Sequence, residues 1–198
     1  MIVLLAEGRT EIALKEYLKR FLDQRATAEG KPKVALCTKD IMTLNRGRLR
    51  RRIRLELGKP RVLAVVGLID VHPDFQSADD AKRFLSEAAR NHPDFHAHAA
   101  QYEVEAWLLP YWNAICRRVG VTRAAPGHNP EQVDLERPPS SRLAELYRLA
   151  KPPRKYVKTA EMSAILRNQD LTVAADRCPE FKALLNTLLA VAGLSPLG

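Results

Sequence analysis

Glu7 and Glu11 stand four residues apart across Gly8-Arg9-Thr10, and farther along the chain Asp70, His72 and Asp74 alternate with Val71 and Pro73. Three or four oxygen donors converging on one edge suit Mg²⁺ or Mn²⁺, hard cations that prefer carboxylates and keep several waters. Taken alone, an acid in a first helical turn, as Glu11 would be, is already stabilised by about 0.3–1 kcal/mol through the helix dipole. A carboxylate that closes a buried strand, as Glu7 and Asp70 would, has no such local explanation. It stands where loops after parallel strands carry function. His72 is either a plain loop residue or a neighbour of the ligands. The turn at Gly8 is not a phosphate-cradling loop, because it lacks the G-x-x-x-x-G-K-[ST] pattern.

For these acids to meet, the fold must bring the ends of separate strands to one rim. The apolar residues 2–6, then Ile12, Leu14, Tyr17, Leu18, Phe21 and Leu22 at helical spacing, predict strand, tight turn and helix. Lys33 to Cys37 predicts a second strand, and Leu49, Ile53 and Leu57 stack at i, i+4, i+8 on the helix after it. Val62 to Asp70 is apolar without alternation, the mark of a strand buried on both faces of a parallel sheet. Ala81, Phe84, Leu85 and Ala88 predict a further helix, and His96 to Gln101 a short fourth strand. Val104, Leu108, Trp112, Ile115 and Val119 keep a helical period that Pro110 interrupts, so one kinked helix and two shorter ones are both open. Residues 122–139 hold four prolines and predict a long irregular connection, with helices near 141–150, 159–167 and 179–192 beyond it.

The fold class is therefore α/β: a mostly parallel sheet of about four strands flanked by helices, with a helical C-terminal extension. Residues 1–120 form the α/β domain, and residues 121–198 are the extension packed on that same domain. Right-handed strand–helix–strand connections then put Glu7 and Asp70 at one rim, where ligands of open parallel sheets bind.

Composition narrows the class further. The chain has 198 residues, 46% hydrophobic and 28% charged, enough for one sizeable core and incompatible with overall disorder. Its longest apolar run, Val62 to Ile69, is far short of the roughly 20 residues needed to cross a bilayer, so no membrane association is expected. No basic segment precedes the first apolar stretch, and a cytoplasmic location is expected. Cys37, Cys116 and Cys178 are odd in number and scattered, indicating neither disulfides nor a zinc site. The net charge of +9 is concentrated: from Arg46 to Arg61 there are eight basic residues against Glu56 alone. Arg46, Arg50 and Arg54 share one helical face, Arg48 and Arg52 another, with Arg51 between them. Six arginines within nine residues, with no acid among them, leave the block without i,i+4 partners and point to phosphate contact on nucleic acid. Lys151, Arg154, Lys155 and Lys158 make a smaller basic cluster around Pro152-Pro153 that either touches the same nucleic-acid strand, through Lys155 and Lys158, or simply coats the surface.

The opening Glu7-Gly8-Arg9-Thr10-Glu11 after an apolar strand, with an apolar strand ending at Asp70, resembles the TOPRIM domain of topoisomerases, primases and OLD-type nucleases. Its E-G-x-T-E form is similar to the OLD-like branch. The segments Gln101 to Leu109, Tyr156 to Thr159 and Arg177 to Phe181 resemble a TOPRIM-like family of unknown function met in prokaryotic genomes, often beside ATPase genes in defence-associated loci. The resemblance spans most of the chain. It implies metal-dependent phosphodiester cleavage of DNA or RNA in an antiviral setting, with an ATPase partner. Glu7, Glu11 and Asp70 would be catalytic and would hold Mg²⁺ or Mn²⁺, with Asp74 as a further ligand. His72 stands where the family's Asp-x-Asp pair has its second aspartate, which leaves a catalytically degenerate module, binding nucleic acid or a partner, as the alternative.

Glu103 and Glu105 follow the fourth strand. Glu105 lies beside the apolar stripe, an awkward place for an unpaired charge. It either completes the metal shell or pairs with an arginine such as Arg9. Trp107, Tyr111 and Trp112 are read as core or as aromatics facing a partner.

Overall fold

A computed structural model describes residues 1–198 apart from 42, 43, 128 and 133–136, and apart from the side chains of Arg9 and Glu11. Four strands, β1 (Ile2–Ala6), β2 (Leu36–Asp40), β3 (Ala64–Asp70) and β4 (Phe95–Ala100), form one sheet in the order β2-β1-β3-β4. Every pairing is parallel. The expected α/β class with a parallel four-strand sheet is the observed one.

β1 is central and buried throughout, and its alternate residues serve two cores. Ile2 and Leu4 face one, Val3 and Leu5 the other. This is why the strand reads as continuously apolar rather than alternating. The second face is covered by α3 (Arg46–Leu57) and α4 (Ala78–Ala88), through Leu49, Ile53, Ala81, Leu85 and Ala88. The first face carries α2 (Lys15–Ala28), which follows the short α1 (Arg9–Ala13), and the C-terminal half of the chain. That half contains a 3₁₀ helix (Val104–Tyr111), α5 (Trp112–Val119), α6 (Pro139–Arg148), α7 (Lys158–Leu166), α8 (Leu171–Ala175) and α9 (Pro179–Val191). Residues 121–198 are thus part of the same core as β1 and α2 rather than a separate body.

The sequence expectations are corrected in several places. β2 begins at Leu36 rather than Lys33, because its register on β1 starts at Ile2↔Leu36 and its polar end, Thr38-Lys39-Asp40, lies on the sheet edge where no apolar pattern is demanded. The first predicted helix is two, α1 and α2, meeting at Leu14. Pro110 does not kink an α-helix: it lies in the 3₁₀ helix, and α5 starts two residues later. Helix α8 carries no strong sequence signal. Trp107, Tyr111 and Trp112 are buried, so the aromatic segment is core and not a partner-facing surface. Part of the connection expected at residues 122–139 lies outside the described residues.

Two features fix the α4 layer. At Gly67 in β3, a Cβ would lie 2.8 Å from Phe95 Cζ and 3.2 Å from Leu85 Cδ1, so the helix and the edge strand approach this point too closely for a side chain. Helix α4 then ends with Asn91 N–H bonded to Ser86 O at 2.9 Å and Arg90 N–H to Glu87 O at 3.0 Å. This is a Schellman motif, and Arg90 has φ +55° at the position glycine usually takes.

Candidate functional site

The parallel register determines what stands at the carboxyl rim of the sheet. Ala6 lies opposite both Asp40 and Leu68, so Glu7, one residue on, comes level with the end of β3. There its carboxylate accepts a hydrogen bond from the main-chain N–H of Asp70. Burial raises the Glu7 pKa first, and the carboxylates of Asp74 and, more weakly, Asp40 add to it against that hydrogen bond. Asp70 is itself oriented, its Oδ1 accepting the N–H of Val104 at 3.0 Å. The Glu7 carboxylate thus lies at the Asp70 main chain and within electrostatic reach of Asp74 and, more weakly, Asp40. Asp40 was missed because the strand it closes was placed three residues too early. No described Lys or Arg side chain makes an ion pair with Glu7 or Asp74. Helix α1 carries Glu11 next to this rim, but its side chain lies outside the described residues, as does that of Arg9. His72 is exposed and stacks on Tyr102, ring centroids 5.8 Å apart at 17°.

A second cluster adjoins the first through Asp70 and Val104. Glu105 is fully buried, and Lys158 Nζ, from the first turn of α7, lies 3.2 Å from its Oε1 and 3.4 Å from Glu103 Oε1. Glu103 also accepts from the N–H and the Oγ of Ser140, each at 3.0 Å, which anchors it to the start of α6. Among the described residues neither oxygen of Glu105 is in a well-directed hydrogen bond, and the nearby buried Tyr156 hydroxyl has no partner. Burial pushes the Glu105 carboxyl up to about 7, Lys158 pulls it down and Glu103 pushes it up. The Lys158 ammonium is lowered by burial but raised more by its two glutamates. Among the described residues Glu105 thus pairs with Lys158, whose side chain stays about half exposed; the Arg9 side chain, named as the other partner, lies outside them. Lys155 is exposed.

The arginine helix lies elsewhere. Leu49 and Ile53 bury its apolar stripe as expected, while Leu57 is only partly covered. Arg46 pairs with Glu87 at 3.1 Å and lies over the Phe84 ring, and Arg52 pairs with Glu56 at 3.4 Å. The expectation that the block lacks an i,i+4 partner fails at Arg52, because Glu56 folds back from beyond the counted segment. Arg48, Arg51 and Arg54 form no ion pair among the described residues, and Arg50 donates to Ala88 O. Arg50, Arg51 and Arg54 line a cleft with residues 88–92, which lead into the start of β4. They therefore gather toward the amino edge of the sheet, and no hydrogen bond or ion pair among the described residues joins them to the carboxylates.

Among the described residues, no group of three or more His, Cys, Asp and Glu side chains is arranged to hold a metal ion. Glu7 and Asp74 offer hard oxygen atoms of the kind Mg²⁺ and Mn²⁺ prefer, while the raised Glu7 pKa reflects burial first and the charges of Asp74 and Asp40 only after it. No helix is long and apolar enough to cross a membrane among the described residues.

A family model described as a domain of unknown function, DUF4276, matches residues 6–189. No curated protein and no solved structure matches the chain.

Proposed function

The chain belongs to the DUF4276 family, and within it we propose a divalent-metal-dependent phosphodiester hydrolase acting on DNA or RNA. One observation carries the reading: the Glu7 carboxylate, at the carboxyl end of a parallel sheet, accepts from the main-chain N–H of Asp70, far along the sequence, and feels the charge of Asp74. Ligands of open α/β sheets bind at that end.

Glu7, Asp70 and Asp74 would hold the ion, and Glu11 follows Glu7 on α1. Bound Mg²⁺ or Mn²⁺ supplies charge neutralisation at the phosphate and lowers the pKa of its water. The chain's own groups do the positioning. The Asp70 N–H orients Glu7, and the Val104 N–H fixes one Asp70 oxygen. Lys158 holds a positive charge between Glu103 and Glu105 on the neighbouring loop. The E-G-x-T-E resemblance to OLD-type nucleases supports the same chemistry, and with it an ATPase partner and a role in prokaryotic antiviral defence.

Mn²⁺ and Mg²⁺ titration by calorimetry, with cleavage of labelled DNA and RNA, tests the proposal. Glu7→Ala and Asp70→Ala are expected to lower metal-stimulated cleavage by at least about 100-fold, the scale of losing an electrostatic stabiliser of the transition state. Unchanged cleavage in both variants rejects the site. His72, standing where the Asp-x-Asp pair has its second aspartate, favours a second reading, a degenerate module that binds nucleic acid or a partner without cutting. Strand binding without metal uptake at millimolar Mn²⁺ would select that reading.

A further inference from the structure

The arginines of α3 face a concave surface of their own. A cleft of about 540 Å³ opens between α3 and the end of α4, bordered by Arg50, Arg51, Arg54 and Arg90 with Ile53 and Leu57 among its apolar lining. Its size lies within the range of small-molecule sites, and a mixed lining with few convergent polar groups is their usual construction. Arginine forks match phosphate oxygens in pairs, which a lysine point charge does not.

The local structure does not use up this charge. The negative ends of α3 and α4 meet here, and cations near helix C-termini are favourable without any ligand. That accounts for Arg50, which donates to Ala88 O at 3.4 Å, and for Arg54 in the last turn of α3. It does not account for Arg51, which forms no ion pair among the described residues. For Arg90, one residue past the α4 C-cap, it accounts for the charge but not for the choice of a side chain at that backbone position. Arg90 occupies the glycine position of the Schellman motif at φ +55°, and Asn91 follows at φ +50°. A left-handed backbone disfavours a side chain such as arginine. The fold would be served at least as well by glycine, and what arginine adds is a guanidinium at the border of the cleft.

We propose that this cleft is a second, separate binding site, for a nucleoside phosphate: the arginines hold the phosphate and the apolar lining receives the base or sugar. The phosphate comes either from a free mononucleotide or from one unit of a nucleic-acid strand. The site lies away from the carboxylate rim and does not depend on the hydrolase reading.

Calorimetry or fluorescence anisotropy of the full chain with AMP, ATP and a short single-stranded oligonucleotide tests it, with two variants and a chelator. Arg51→Ala/Arg54→Ala is expected to weaken binding at least tenfold. Arg90→Gly is expected to weaken it several-fold while leaving the melting temperature unchanged or higher, a combination that a purely structural arginine does not give. Binding measured with excess EDTA, which strips any divalent ion from the rim, is expected to be unchanged, which separates this site from the carboxylates. Mononucleotide binding with that pattern identifies a free nucleotide as the ligand, and oligonucleotide binding alone with that pattern identifies a strand. No binding of any probe, or binding insensitive to both arginine variants, overturns the proposal. Loss of binding in EDTA overturns its separateness from the rim.

Discussion

Glu105 is a carboxyl group shut away from water beside a half-exposed lysine, and its proton is consequently held more tightly in the folded chain than in the unfolded one. Between its ordinary value near 4.5 and its folded value of about 7, the native state binds more protons than the unfolded state. Stability then falls as pH rises through that interval and levels off above it. Glu105→Gln is expected to reduce the fall by about 1–3 kcal/mol, measured as urea midpoints from pH 4.5 to 8. An unchanged pH profile would mean that Lys158 keeps the group ionised throughout. Burial also raises the Glu131 carboxyl, but here hydrogen bonds offset part of it. It is buried, but accepts from Trp107 Nε1 at 2.8 Å and from the N–H groups of Glu180 and Phe181 at 3.0 and 3.4 Å, so it ties the 3₁₀ helix to the start of α9. Glu131→Ala leaves these donors without an acceptor and is expected to cost about 2–3 kcal/mol by chemical denaturation. Of these side chains the sequence marked Glu105, because a charge beside an apolar stripe is conspicuous. Glu131 sits among prolines that read as loop, and its three donors come from segments far away in sequence.

At the scale of elements, the tight contact at Gly67 makes the α4 layer intolerant of added volume. Gly67→Ala is expected to destabilise by about 1–3 kcal/mol, with the loss in amide-exchange protection greatest in β4 and α4, because the Phe95 ring is rigid and already packed. A neutral effect would show that the ring can move aside. Elements with a strong apolar period were legible: β1, β3, α3, α4 and α9 lie within a few residues of their expected places. β2 was misplaced because an edge strand covered on fewer sides needs fewer apolar residues. The break at Leu14 was invisible because both sides of it keep the same stripe. Glu7 and Asp70 could be placed at one rim from strand order alone. Lys158 could not be assigned to Glu103 and Glu105, because that contact depends on how α7 packs, which no local pattern encodes.

For the whole molecule, one core joins β1 and α2 to α5 through α9. The full chain is expected to lose secondary and tertiary structure in a single transition by far- and near-UV circular dichroism. Residues 1–120 alone would leave Leu4, Leu18 and Trp107 uncovered and are expected to bind a hydrophobic dye and show no sharp transition; a cooperative melt of that fragment would contradict the shared core. The two charged regions have a joint consequence. Strands of five to seven residues separate the crowded carboxylates from the gathered arginines by about 20 Å, at roughly 3.3 Å per residue. That spacing exceeds the Debye length of about 8–10 Å at physiological salt, so the two ends are screened from each other and each acts on a charged visitor only at short range. A polyanion is then captured at the arginine end by local attraction, and adding salt should both slow that capture and loosen the orientation it imposes.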